Sequence, residues 1–573
     1  MEWKEIYAQW KNYDELDDSV KTSLEHIETD EDLLKDAFYA PLEFGTAGMR
    51  GIIGAGINRM NIYTVRQATE GLATFIEELG AEAKRQGVAI AYDSRHKSPE
   101  FAMESAKTLA AHGITSYVFE SLRPTPELSF AVRELNCIAG IMITASHNPP
   151  EYNGYKVYGE DGGQMPPQDA DAVTSYVRQV ENPLLVRVLN ERDAEDFINI
   201  IGEQIDTAYL KQLESVTIDK ELIARTGGDL KLVYTPLHGT GKMLGEKALK
   251  QAGFNSFLLV PEQAEADPDF STVKSPNPEE HSAFEYAIRL GEKEQADLLV
   301  ATDPDADRLG AAVRLPDGSY QVLTGNQLGA LMIHYLLSAH QKQGTLPANA
   351  VVLKSIVSSE LATAICHEFG VKMENVLTGF KFIAEKIKEY EQTKQQTFVF
   401  GFEESYGYLV KPFVRDKDAI QALVLLAEIA AYYKEKDMTL YDGIRQIFDK
   451  YGYYQEKTIS VTMNGISGLE KIKQLMSGLR ASSPSEFAGI AVDSVEDYDS
   501  QIHRHADGSS EKIPLPSSNV LKYHLTDGSW IAVRPSGTEP KIKFYIGVKA
   551  ESEQAAADKI AALTDALHQH TEQ

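Results

Sequence analysis

The chain has 573 residues, too many for one hydrophobic core, so it is expected to divide into roughly three to five domains. Hydrophobic residues at 43% and charged residues at 25% exclude a fibrous or largely disordered protein. Asp and Glu number 85 against 56 Lys and Arg, and the resulting formal charge of −29 would repel a nucleic acid at long range.

Taken in chain order, Met1-Glu2-Trp3-Lys4-Glu5-Ile6-Tyr7 lacks the basic and apolar runs of a signal peptide, and no later run approaches bilayer length. Neither export nor a membrane partner is expected. Cys137 and Cys366 are too few for a disulfide scaffold and form no CxxC pair, which fits a reducing cytoplasm. The first forty residues, rich in acid, carry no readable role.

From residue 88 onward, apolar and β-branched runs end in polar loops that lead into residues at helical spacing, the pattern of a βα unit. Val88-Ala89-Ile90-Ala91 leads to Tyr92-Asp93-Ser94-Arg95, and Cys137 to Ile143 leads to Thr144-Ala145-Ser146-His147-Asn148-Pro149. Leu232-Val233-Tyr234 meets Thr235-Pro236-Leu237-His238-Gly239, Leu298 to Ala301 meets Thr302-Asp303, Val351-Val352-Leu353 meets Lys354-Ser355, and Phe398-Val399-Phe400 meets Gly401-Phe402-Glu403. Six such junctions predict repeated α/β domains with loops at the carboxyl ends of their strands, where open α/β sheets hold their chemistry. Leu328, Leu331, Met332, Tyr335 and Leu336 predict one apolar helix stripe. Towards the C-terminus Trp530 to Val533 and Ile542 to Ile546 flank a short loop, and Glu553 to His570 reads as a closing helix. The boundaries drawn from these patterns are 1–210, 211–322, 323–452 and 453–573.

Four loops carry candidate chemistry. Ser146 and His147 stand just past a strand end, which alone is only a polar turn. Asp303, Asp305 and Asp307 alternate in Thr302-Asp303-Pro304-Asp305-Ala306-Asp307-Arg308, and three hard carboxylates converging from an extended loop suit Mg²⁺. A calcium EF-hand is excluded, because its required Gly and Glu are replaced by Arg308 and Arg314. Gly401 to Gly407 offers Glu403, Glu404 and Ser405 on a flexible backbone, a set able to bind vicinal sugar hydroxyls. Arg534-Pro535-Ser536-Gly537-Thr538-Glu539-Pro540 joins a guanidinium, two hydroxyls and a glycine, with Lys543 nearby, and reads as a phosphate cradle. Gly239-Thr240-Gly241-Lys242 is not a P-loop, since Met243 replaces the Ser or Thr and Pro236 the first Gly. No G-x-G-x-x-G opens a helix after a strand, and Ser146 is not in G-x-S-x-G.

Four such loops in this order resemble the α-D-phosphohexomutase family, with similarity from about Glu43 to Ile546. Gly45-Thr46-Ala47-Gly48-Met49-Arg50-Gly51 and Val414-Arg415-Asp416-Lys417-Asp418-Ala419 resemble its bacterial α-phosphoglucomutase branch, which also looks like eukaryotic phosphopentomutase. The resemblance implies three related α/β domains with mixed sheets and a smaller C-terminal α+β domain around a central active-site cleft. It implies interconversion of α-D-glucose 1-phosphate and glucose 6-phosphate through phospho-Ser146, with glucose 1,6-bisphosphate as intermediate and activator. Ser146 would join Asp303, Asp305 and Asp307 on Mg²⁺, and Arg308 would support the phosphate. Glu403 and Ser405 match the sugar-binding pair, Thr378 and Gly379 a further substrate loop, and Arg534, Ser536, Gly537, Thr538 and Lys543 the distal phosphate site.

Arg50, His147, Lys156 and Lys417 match cationic or proton-transferring positions, with Lys156 first among them for acid/base work. That role asks for a lowered lysine pKa, which Arg50 and Arg308 as neighbours would cause. Some family members carry a histidine after the sugar-loop serine where this chain has Tyr406, which argues against the phosphomannomutase branch. Phosphopentomutase, phosphomannomutase, a metal-dependent phosphatase and a non-catalytic sugar-phosphate sensor remain the alternatives. Sugar phosphates are the expected partners, and the sequence does not separate monomer from dimer.

Overall fold

The computed structural model describes residues 2–45, 48–463, 466–536 and 541–571. The chain forms two compact units, Met1–Gly325 with Ile383–Leu440, and Asn326–Phe382 with Tyr441–Gln573.

In the first unit, six strands run in the order Met49–Ile52, Tyr152–Gly159, Ala139–Ile143, Val88–Tyr92, Ser116–Phe119 and Ile198–Ile201. The central strands Val88–Tyr92 and Ala139–Ile143 are buried at every position, as continuous apolar runs covered on both faces must be. They run parallel, whereas Tyr152–Gly159 returns antiparallel beside Ala139–Ile143, so the sheet is mixed. A second sheet has the order Tyr320–Val322, Leu309–Arg314, Leu298–Thr302, Leu232–Thr235 and Phe257–Leu259. Here too the inner strands are parallel and an antiparallel strand, Leu309–Arg314, follows the one that ends in the aspartates. Strand Thr397–Glu403 of the same unit turns back through Gly407–Leu409. Helix Ala419–Lys434 follows, capped by the Asp418 carboxylate on the N–H groups of Ile420 and Gln421. Its buried residues surround the whole helix, which is therefore a core element and not an amphipathic cover.

The second unit contains the parallel pair Ala350–Ser355 and Lys372–Val376. It also holds an antiparallel sheet in the order Tyr453–Thr462, Lys541–Ala550, Trp530–Pro535, Leu521–Leu525, Ile490–Asp497, Ile502–His505 and Ser510–Lys512. Helix Glu553–Thr571 closes this sheet through Ala556, Ile560, Leu563 and Leu567, which pack with Phe544, Ile546 and Val548. The stripe read at Leu328, Leu331, Met332, Tyr335 and Leu336 is buried on helix Gly325–Gln343.

The first forty residues fold as three helices, Trp3–Lys11, Asp18–Ile27 and Glu31–Phe38, on the first unit. Trp10 is only 1% exposed and meets Phe38 and Tyr63 edge-on, at 5.7 and 5.3 Å between ring centroids. The Tyr63 hydroxyl accepts from the Asp17 N–H at 2.8 Å and donates to the Glu15 carbonyl at 3.1 Å. The segment is thus bound by aromatic burial and by hydrogen bonds between the Tyr63 hydroxyl and two of its backbone groups. Replacing Trp10 by Ala is expected to cost about 3–5 kcal/mol, as for other buried tryptophans. Hydrogen exchange should report this as lost protection in Trp3–Phe38 at temperatures where the strand Ala139–Ile143 is still protected.

Candidate active site

Strand Ala139–Ile143 delivers Ser146 at its carboxyl end with φ of 52°, a left-handed conformation that costs a serine energy. Two contacts hold it there. The Ser146 N–H donates to Thr144 Oγ1 at 2.8 Å, and its carbonyl accepts from Arg95 Nη2 at 2.6 Å. The same guanidinium donates to the carbonyls of Asn148, Pro149 and Tyr152, so one side chain gathers four carbonyls of the serine loop. Arg95 is fully buried, pairs with Asp93 at 3.2 Å, and lies 4.9 Å from the centroid of the Phe270 ring. In the sequence Asp93 and Arg95 stand at a strand end with no task attached. An Asp-x-Arg directly after a buried strand was the available signal.

Strand Leu298–Thr302 delivers the aspartates in the same way. Asp303, Asp305 and Asp307 are all buried, and one oxygen from each lies within 4.8 Å of the others. The loop is tied by Asp303 Oδ1, which accepts the N–H groups of Asp307 and Arg308 at 3.1 and 3.0 Å, while Ala306 takes a φ of 50°. Asp303 Oδ2 accepts the Ser146 hydroxyl at 2.8 Å, across 157 residues of sequence. The serine and aspartate motifs are therefore one site. Asp305 Oδ2 receives Lys156 Nζ and Thr125 Oγ1, both at 2.9 Å, and Asp307 Oδ2 receives Lys417 Nζ at 3.1 Å. Thr125 was not singled out in the sequence, where nothing distinguishes it.

Three carboxylates so close cannot all ionise freely in a buried site. Burial, with Asp305 and Asp307 beside it, pushes the Asp303 carboxyl well above its ordinary range. Burial alone would raise Asp305 too, but Lys156, with hydrogen bonds from Asp303 and Thr125, holds that carboxyl down. Asp305 Oδ1 and Asp307 Oδ1 are buried without a hydrogen-bond partner. Hard oxygen donors with two unmatched atoms fit a divalent cation, which would relieve both the repulsion and the unsatisfied oxygens.

The lowered pKa expected for Lys156 is not what this environment produces. Burial does act to lower it, but the nearest charges are the carboxylates of Asp305 and Asp307, at 2.9 and 3.8 Å, and they hold the ammonium above its usual value. Arg50 instead binds Asn148 Oδ1 at 2.8 Å, and Arg308 binds Glu279 at 2.7 Å. Lys417, buried between Asp307 and Asp416, is raised for the same reason despite its burial. His147 goes the other way: burial, then Arg308 and Arg50, lower its pKa well below 6.5, so the ring is neutral beside Ser146, with Nδ1 3.2 Å from Oγ. Glu279, the partner that fixes Arg308, lies outside every motif read from the sequence.

Glu403 ends strand Thr397–Glu403, pairs in register with Gly407, and is buried, while Ser405 is half-buried in the turn between them. Tyr406 takes a φ of 64°, and its carbonyl accepts the N–H of Leu309 at 3.0 Å, which docks this turn on the aspartate loop. Gly407 is required: a Cβ there would lie 2.2 Å from Lys417 Cδ. The Glu403 carboxylate helps raise both Arg308 and Lys417. The first unit thus brings Arg50, Ser146, His147, Lys156, the three aspartates, Arg308, Glu403, Ser405 and Lys417 into one loop cluster.

The second unit holds the remaining expected residues. Arg534 and Lys543 are cross-strand partners, which places two cationic residues on one face of the sheet. Ser536 follows, its N–H on the Lys541 carbonyl at 2.7 Å; Gly537 and Thr538 lie outside the described residues. Thr378 Oγ1 is buried without a hydrogen-bond partner, beside Gly379 at φ 123°.

Profiles described as phosphoglucomutase/phosphomannomutase alpha/beta/alpha domains I, II and III match residues 41–183, 207–316 and 324–451, and the C-terminal domain profile matches 479–564. A phosphoglucomutase of Staphylococcus aureus (strain MSSA476) is 41% identical over 532 residues, covering 92% of this chain and 93% of its own. The fold is shared with a phosphoglucomutase/phosphomannomutase family protein of Burkholderia thailandensis, at TM-score 0.66 and 18% identity over 92% of this chain and 97% of that one. It is also shared with pp63/parafusin of Paramecium in its open form, at TM-score 0.66 and 17% identity over 93% and 95% of the two chains. With three α/β domains, a smaller C-terminal domain and a relative of this identity along nearly its whole length, the chain belongs to the phosphoglucomutase/phosphomannomutase family of phosphotransferring mutases.

Proposed function

We propose that the chain interconverts α-D-glucose 1-phosphate and glucose 6-phosphate through a phosphate carried on Ser146. The observation that carries this reading is the Ser146 hydroxyl on Asp303, inside a buried carboxylate triad flanked by Lys156 and Lys417. Phosphoryl transfer needs in-line placement and neutralised oxygens more than elaborate covalent chemistry, and this cluster supplies both. A magnesium ion held by Asp303, Asp305, Asp307 and the serine phosphate would neutralise charge on the phosphoryl oxygens. Arg308, fixed by Glu279, adds a permanent cation beside them.

In the proposed cycle the phosphate on Ser146 passes to the free hydroxyl of the sugar, giving glucose 1,6-bisphosphate; the serine oxygen keeps the electron pair of the broken bond and takes a proton from Lys156 or Lys417, which the proton lost by the attacking hydroxyl replaces. The bisphosphate reorients and returns its other phosphate to Ser146. Lys156 and Lys417, which the surrounding carboxylates keep protonated, serve as proton donors and as cations, while neutral His147 orients Ser146 Oγ. Glu403 and Ser405 are assigned the sugar hydroxyls, Thr378 and Gly379 further substrate contacts, and Arg534, Ser536, Gly537, Thr538 and Lys543 the phosphate that is not transferred. Glucose is favoured because the relatives at 41% identity are named phosphoglucomutase. Both cysteines are buried and unpaired, with thiols pushed up to about 12 by burial, which favours the cytoplasm as the compartment. No helix among the described residues is long and apolar enough to cross a membrane.

The decisive experiment pairs peptide mass analysis with a panel of glucose, mannose and ribose 1-phosphates assayed with trace bisphosphate. The expected result is one phosphate on Ser146, preference for the glucose ester, and loss of about 10³-fold or more in rate for Ser146→Ala. Equal or better turnover of the ribose ester would overturn the glucose assignment, and full activity of Ser146→Ala would overturn the mechanism. Arg95→Lys keeps the charge but cannot hold four carbonyls. It should lower kcat by about 10²-fold, the typical cost of a small misplacement of a reacting group, with little change in KM.

His147 also makes stability depend on pH. Its pKa is depressed in the folded chain, so on acidification through 6.5 the unfolded state takes up a proton that the folded state does not, and stability falls as pH falls. Denaturant unfolding of wild type and His147→Gln should show the wild type losing about 1 kcal/mol more between about pH 7.5 and about pH 5.5. Parallel losses in the two proteins would show that His147 is not held neutral.

A further inference from the structure

The C-terminal sheet carries a cluster of histidines and glutamates that the mutase chemistry does not use. Register places Glu496 opposite His503, His503 opposite Glu511, and Ser494 opposite both His505 and His524. Because residues two apart share a face of a strand, Glu496, His503, His505, Glu511 and His524 all stand on one face of the sheet. The contacts agree with that placement. His524 Nε2 lies 3.0 Å from Glu496 Oε2, His503 Nδ1 lies 3.1 Å from Glu511 Oε1, and the rings of His505 and His524 have centroids 4.3 and 5.9 Å from that of His503. One donor atom each from Glu496, His503 and His524 falls within 4.8 Å of the others.

The feature that points beyond surface ion pairing is His503 Nε2, which is buried and has no hydrogen-bond partner. Its other nitrogen is engaged by Glu511, so the ring presents one unmatched nitrogen among ligand-type atoms. We propose that Glu496, His503 and His524 form a second metal site, specific for a zinc-class transition ion and separate from the aspartate triad. Two imidazoles and one carboxylate are the borderline donor set that takes Zn²⁺ and leaves Mg²⁺ in competition with water. The outer partners of such a site are also present. Glu511 accepts from His503 as a carboxylate behind a histidine ligand, and the Tyr498 hydroxyl donates to Glu496 Oε2 at 2.9 Å. A bound ion would tie Leu521–Leu525 and Ile490–Asp497 to the edge hairpin Ile502–His505 and Ser510–Lys512, whose last strand is otherwise exposed.

The test is zinc titration of the full-length protein in excess Mg²⁺, which keeps the aspartate triad occupied, with Co²⁺ absorption as a spectroscopic probe. Wild type is expected to bind one more Zn²⁺ per chain than His503→Gln/His524→Gln, and both should keep the same mutase activity at saturating Mg²⁺. Glu511→Gln, at an exposed position that does not test folding, should keep the stoichiometry and weaken zinc binding about 10–100-fold. Equal zinc stoichiometry and affinity in wild type and the double variant would overturn the proposal. So would a zinc affinity unchanged by Glu511→Gln.

Discussion

The constraint on which the first unit depends is the burial of three carboxylates within 4.8 Å of one another. Isolated carboxylates taken out of water cost several kcal/mol each, so such a triad survives folding only where compensation is built around it. Lys156, Lys417 and Arg308 are that compensation, and two of them are fixed by a further acid: Lys417 by Asp416 and Arg308 by Glu279. The Ser146 hydroxyl and Thr125 complete the shell from the neighbouring sheet. Negative charge still exceeds positive at the triad, as the raised Asp303 carboxyl and the unmatched oxygens of Asp305 and Asp307 attest.

The backbone has to be bent to reach this arrangement. Ser146, Ala306 and Tyr406, one in each converging loop, adopt positive φ, and none is a glycine. In each case hydrogen bonds hold the strained turn. Arg95 holds the serine loop, Asp303 ties its own loop through two N–H groups, and Leu309 binds the carbonyl of Tyr406. Strained turns at strand ends, overdetermined by their surroundings, are characteristic of sites where atoms must be placed within fractions of an ångström.

The sequence made the four loops, their strands and the triad legible because each is a local pattern: an apolar run, then a polar loop of distinctive composition. What it could not convey is pairing at a distance. Ser146 and Asp303 meet across 157 residues, and Thr125, Arg95 and Glu279 enter the site only through tertiary contacts. The lowered pKa expected for Lys156 fails for the same reason. Proximity of Arg50 and Arg308 in motif order says nothing of which charge lies nearest the ammonium, and the aspartates do. The N-terminal helices were unread because an acidic, mixed sequence hides an apolar stripe, Trp10, Val20, Leu24, Leu34 and Phe38, whose partners lie elsewhere in the chain.

A net charge of −29 sits uneasily with a substrate that is itself an anion. The first unit's cations do not resolve this by themselves, since Lys156, Lys417 and Arg308 are already committed to Asp305, Asp307, Asp416 and Glu279. A site whose lysines are neutralised by its own carboxylates has little field left for a phosphate. A divalent cation held by Asp303, Asp305 and Asp307 would supply positive charge there and lessen the hold of these carboxylates on Lys156 and Lys417. Metal and phosphate binding would then be linked, while the acidic surface beyond a Debye length of roughly 8 Å is screened from the encounter.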